Sequence, residues 1–93
     1  MAAAVKFGKH LKELRIHLCQ KSPASQGVRE FIESQYVAMK KSNPRFPILI
    51  RECSGVQPVV YARYEYGKEA SIPLTNKSSS EVLQTIASLN AKS

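Results

Sequence analysis

Leu14-Arg15-Ile16-His17-Leu18-Cys19-Gln20-Lys21-Ser22-Pro23 holds two signals back to back. Its first five residues alternate apolar and polar, the pattern of a strand covered on one face. Ser22-Pro23 then reads as a helix N-cap with proline at the first helical position, and Ser25 offers a second cap one turn later. Val28, Phe31, Ile32, Gln35 and Met39 follow at helical spacing, and Pro44 ends the helix just after Lys40 and Lys41, which suit its negative end. A second apolar strand is expected over Ile48 to Glu52. Strand, helix and strand make a βαβ unit, whose strands run parallel with a right-handed crossover.

Outward from this unit, Val59 to Tyr64 predicts a third strand, Tyr66-Gly67-Lys68-Glu69 a hairpin turn and Ala70 to Leu74 a fourth strand, which Pro73 demotes to an edge. Ser78-x-x-Glu81 is a capping box, and Val82, Leu83, Ile86 and Leu89 form one stripe of a final helix. The order is βαβ-ββα. The fold class expected is α/β, thioredoxin-like, with a four-stranded mixed sheet and both main helices on one face. Cys19 at the first strand-to-helix junction and Pro58 just before the third strand fit that arrangement, which commonly keeps a cis proline there, so Pro58 is a cis-proline candidate and the Gln57–Pro58 bond is open to either isomer.

The 93 residues allow one compact domain, expected over 14–90, with a flexible basic segment at 1–13 and a short tail at 91–93. A hydrophobic content of 43% argues against compositional disorder. The apolar runs are too short to span a bilayer, and no secretory h-region opens the chain. Lys6, Lys9 and Lys12, with no acid before Glu13, resemble a weak mitochondrial import signal. Cleaving a typical 15–30-residue presequence would cut into the first strand, so import is expected to leave the N-terminus essentially whole. The net charge of +7 suits an acidic protein surface or RNA.

Strand parity sorts the side chains. Leu14, Ile16, Leu18, Ile48, Ile50, Val60, Ala62 and Tyr64 should face the helices. Arg15, His17, Leu49, Arg51, Tyr61 and Arg63 collect on the opposite side, where the short link from Cys53 to Pro58 leaves no room for a covering helix. Arg15, His17, Arg51, Tyr61 and Arg63 are therefore the candidate partner-binding residues, either on a solvated face or on a docking face. Arginine and tyrosine also suit RNA, but no RNP-type motif, zinc-knuckle spacing or Arg-rich tail accompanies them.

Cys19 and Cys53 fall at the carboxyl ends of adjacent parallel strands, close enough either to bridge or to remain two reduced thiols. The segment Cys19-Gln20-Lys21-Ser22 has serine in place of a resolving cysteine, which leaves a monothiol oxidoreductase as a weak alternative. No catalytic residue is assigned. No cofactor is expected, and His17 with the two cysteines lacks a fourth ligand for a metal.

Arg15 to Ser22, Gln26-Gly27-Val28-Arg29-Glu30-Phe31, Pro47 to Pro58 and Tyr61-Ala62-Arg63-Tyr64 closely resemble the small thioredoxin-like accessory subunits of mitochondrial NADH:ubiquinone oxidoreductase, respiratory complex I. The resemblance covers nearly the whole chain. It implies a non-catalytic subunit on the matrix side of the peripheral arm, near the NADH-oxidising module, at the inner membrane, with other complex I subunits as partners and no bound cofactor. It also implies that Cys19 and Cys53 match the family's cysteine pair, with a thiol/disulfide role. The same domain occurs in certain mitochondrial ribosomal proteins, so ribosome association is the main alternative.

Overall fold

A computed structural model describes residues 6–91. The elements run β1 (Leu11–Leu18), a 3-10 turn (Pro23–Ser25), α1 (Gln26–Phe31), a π turn (Ile32–Tyr36), α2 (Val37–Ser42), β2 (Ile48–Glu52), β3 (Val59–Tyr64), β4 (Glu69–Pro73) and α3 (Ser79–Ala91). The sheet has four strands in the order β2-β1-β3-β4, with β1 parallel to β2 and the other pairs antiparallel. The α/β class and the four-stranded mixed sheet are those expected.

Ser22 caps the helical run 23–42: its Oγ accepts from the Ala24 N–H at 3.2 Å, with Pro23 at the first position. Ser25 makes no cap, and its buried hydroxyl instead accepts from the Cys19 N–H at 3.1 Å. The run holds a π turn in its middle, which the spacing did not predict. At α3, Ser78 Oγ accepts from the Glu81 N–H (3.2 Å) and Glu81 Oε1 from the Ser78 N–H (2.9 Å). These bonds hold the Glu81 carboxyl below its usual range.

One core cluster joins Leu14, Ile16, Leu18, Ile48, Val60 and Ala62 of the sheet to Val28, Phe31 and Met39 of the first helical run and Val82, Ile86 and Leu89 of α3. The inward-facing residues are those the alternation selected. Tyr64 closes the cluster with its O–H donating to the Leu89 carbonyl at 2.6 Å, and burial pushes its phenol up. The β4–α3 loop packs on the start of the helical run, where the Asn76 N–H donates to the Ala24 carbonyl (3.0 Å). A Cβ placed on Gly27 would stand 1.7 Å from the Lys77 carbonyl oxygen.

The structure answers one open point and corrects one expectation. The Gln57–Pro58 bond is trans, as the described residues hold no cis peptide. Trans is the intrinsically favoured isomer of an X–Pro bond; Pro58 itself is buried, and its carbonyl accepts from the Leu74 N–H at 2.8 Å. The flexible segment expected at 1–13 is too long. Leu11, Lys12 and Glu13 belong to β1, and Leu11 is buried. Before them, Phe7 stacks on Phe46 (4.3 Å between ring centres) and Gly8 N–H donates to Asn90 Oδ1 (3.0 Å). Residues 1–5 and 92–93, which include the start of the import signal and most of the expected tail, lie outside the described residues.

The β3–β4 hairpin turns through Tyr66 (φ 62°) and Gly67 (φ 74°), both left-handed, as the twist of a tight hairpin requires. Tyrosine is strained there and its ring is 94% exposed, so no packing offsets the strain. Tyr66→Asn is therefore expected to stabilise the domain by about 0.5–1 kcal/mol in urea unfolding. An unchanged or lower midpoint would contradict this.

Candidate docking face and cysteine site

The side of the sheet away from the helices carries Glu13, Arg15 and His17 from β1, Leu49 and Arg51 from β2, Tyr61 and Arg63 from β3, and Glu69 from β4. Pairing sets Leu49 and Tyr61 on either side of Arg15, Arg51 beside His17, and Glu13 and Glu69 on either side of Arg63. The His17 and Tyr61 rings lie 5.0 Å apart, tilted. Leu49 is 53% exposed and Tyr61 37%. All five candidate partner-binding residues thus share one face, and no described element covers it.

The face is less basic than residue types suggested. Glu13 pairs with Arg15 at 2.5 Å and reaches Arg63 at 3.9 Å, while Glu69 pairs with Arg63 at 3.7 Å. The bond to Glu13 holds the Arg15 guanidinium more firmly charged. These acids were missed: Glu13 has the parity of Arg15, but Glu69 meets Arg63 only through the hairpin register. With their arginines about half exposed to water, these pairs contribute little to stability. They instead hold the arginines in place around a shallow cavity of ≈ 150 Å³ lined also by His17 and Tyr61. Arg51 forms no ion pair among the described residues.

Cys19 and Cys53 end neighbouring strands as expected, with the Cys53 N–H donating to the Leu18 carbonyl at 2.9 Å. Both are free thiols. Cys19 has the parity of the open face but is buried, because the chain leaves the sheet after Leu18 and turns into the helical run. Backbone N–H groups of Lys21, Gly55 and Ser22 converge on its sulfur, that of Gly55 at 3.4 Å. They draw the thiol below its ordinary value, with Arg29 nearby adding to the effect and burial opposing it. Arg29 itself is held by the carbonyls of Cys19 (2.9 Å) and Ser22 (2.8 Å). Ser22, standing where a resolving cysteine would, has its hydroxyl engaged in the helix cap. Among the described residues no group of three or more His, Cys, Asp or Glu side chains could hold a metal ion.

A lowered folded-state value means that the thiolate favours the fold. That contribution is complete above the unfolded value of 9.0 and fades as pH falls through the folded one. The stability gap between the reduced protein and Cys19→Ala is therefore expected to widen from neutral pH to about pH 9. A gap that stays flat over this range would contradict the arrangement at the sulfur.

The profile of the mitochondrial ribosomal protein L51 / S25 / CI-B8 domain matches residues 28–79, from the first helical run to the start of α3. The chain belongs to this family. Within it, the chain is 53% identical to NADH dehydrogenase (ubiquinone) 1 alpha subcomplex subunit 2 of Mus musculus, over 91% of this chain and 84% of that protein. It is 47% identical to the Arabidopsis thaliana protein of the same name, over 96% and 92% of the two chains. A 10.5 kDa subunit of NADH-ubiquinone oxidoreductase from Neurospora crassa is 46% identical over 96% and 95%. The L51/S25/CI-B8 match spans β2, β3 and β4, and so takes in Arg51, Tyr61 and Arg63 of the open face together with Cys53.

Proposed function

We propose that the chain is a non-catalytic accessory subunit of mitochondrial NADH:ubiquinone oxidoreductase. In this reading it sits on the matrix side of the peripheral arm near the NADH-oxidising module and docks through its open sheet face onto an acidic surface. The observation that carries the reading is identity of 46–53%, over nearly full length, to proteins named as subunits of that enzyme. The docking face is supported by the uncovered strands, by Leu49 and Tyr61 exposed among charges, and by a net charge of +7.

The βαβ-ββα order with both helices packed into one core supports the thioredoxin-like description. Cys19 and Cys53 would form an intramolecular disulfide on oxidation, a reading supported by their positions at the ends of paired strands. No described helix is long and apolar enough to cross a membrane, so attachment to the inner membrane would be through other subunits.

Replacing both Arg51 and Arg63 by Ala is expected to reduce incorporation into the parent complex on native gels by about tenfold or more, while the fold survives. Unchanged incorporation would overturn the docking face. The family description also names ribosomal proteins, which gives ribosome association a specific basis. Co-sedimentation with ribosomal particles, lost on RNase treatment, would favour that second reading over the first.

A further inference from the structure

The sheet has two edges, β2 and β4, and they are finished differently. On β4, bonds from the Tyr64 N–H to the Lys68 carbonyl and from the Leu74 N–H to the Pro58 carbonyl fix the ladder phase. Lys68, Ala70, Ile72 and Leu74 therefore turn their backbone groups to β3, while Glu69, Ser71 and Pro73 turn theirs outward. Pro73 has no N–H to offer at that position, and Glu69 adds a charge. Such an edge resists pairing with another chain.

The β2 edge also carries one charge among its outward-facing residues, Glu52, but no proline there, so every outward N–H is available. The Leu14 N–H donates to the Pro47 carbonyl and the Cys53 N–H to the Leu18 carbonyl. In a parallel ladder this phase spends the backbone groups of Leu49 and Arg51 on β1 and points those of Ile48, Ile50 and Glu52 away from it. No hydrogen bond among the described residues reaches these outward amides. Ile48 to Glu52 contains no proline, lysine or bulge. Its side chains also look unfinished: Leu49 is half exposed on the open face, and Ile50 is only partly buried at the rim of the core.

We propose that the β2 edge accepts an added strand, an extended segment of a partner subunit. That segment would carry a carboxylate facing Arg51 on the open side of the sheet and an apolar residue beside Ile50 on the helix side. Arg51 supplies the charge complementarity, since it is exposed and forms no ion pair among the described residues. Neighbouring residues of a strand point to opposite faces, so one short segment meets both requirements, while the outward amides give it main-chain hydrogen bonds. The inference rests on the subunit reading above and adds to it a mode of docking.

The experiment uses mitochondria whose own copy of the subunit has been replaced by this chain. In the assembled complex, the amides of Ile50 and Glu52 are expected to exchange at least about tenfold more slowly than in the free chain. Glu52→Pro removes an outward N–H from an exposed position that β1 does not use, and is expected to lower incorporation by about tenfold with little change in thermal midpoint. Where that variant fails to fold, the exchange of the wild-type amides decides. Wild-type chain assembled with these amides unprotected, or a folded Glu52→Pro that incorporates fully, overturns the added strand but leaves the subunit reading standing. Wild-type chain absent from the complex overturns both. Self-association of the free chain that Glu52→Pro abolishes would assign the edge to a second copy and overturn the proposal.

Discussion

Gly27→Ala is expected to destabilise the domain by about 3 kcal/mol, near the upper end of ordinary overpacking. The new methyl group would lie 1.7 Å from the Lys77 carbonyl oxygen, 2.7 Å from its carbon and 3.0 Å from the Ser78 Cα. All three are backbone atoms, so no side-chain rotation relieves the clash. Moving the loop would break the Asn76 N–H bond to the Ala24 carbonyl and shift the Ser78 cap of α3. In a domain this small the change corresponds to a fall in thermal midpoint of more than about 12 °C. A loss below about 1 kcal/mol would show that the loop and the helical run are not in this contact.

Phe31→Ala is expected to cost about 3–5 kcal/mol. Phe31 is fully buried in the cluster that joins the sheet to both helices, and truncation leaves a void that the fully buried Leu14, Ile16, Val82 and Ile86 of the same cluster have little freedom to fill. A domain of this length holds only about 5–9 kcal/mol in all, so the variant would keep about 0–6 kcal/mol and unfold at a much lower denaturant concentration. Val37→Ala serves as the comparison. Val37 follows the π turn in the same helical run but is 57% exposed, and its truncation is expected to stay within about 0.5 kcal/mol. Equal effects in equilibrium unfolding would contradict the facing of the helix.

What was legible in the sequence was carried by short-range pattern. The alternation from Leu14 to Leu18, the Ser22-Pro23 cap and the Ser78–Glu81 box each specify their element from a few neighbouring residues, and the structure holds all three. The start of β1 was hidden because a register shift between Leu11 and Glu13 breaks the period of two. The π turn was hidden because five residues cannot distinguish its period from that of an α-helix.

The rest depended on tertiary contact. The close approach at Gly27 depends on a loop fifty residues further along the chain. The neutralising Glu69 needs the hairpin register, and the burial of Cys19 follows from where the chain leaves the sheet. At the candidate site, parity was enough to gather Arg15, His17, Arg51, Tyr61 and Arg63 on one face. It could not show which of those charges were already paired.

Oxidative footprinting of the chain, free and within the assembled respiratory complex, asks most directly whether the bare side of the sheet is the side that docks. Leu49 and Tyr61 are exposed in the free chain and should become strongly protected on assembly, with Val37 on the helix side keeping its reactivity. Protection of Val37 with Leu49 and Tyr61 still reactive would contradict docking through the open face.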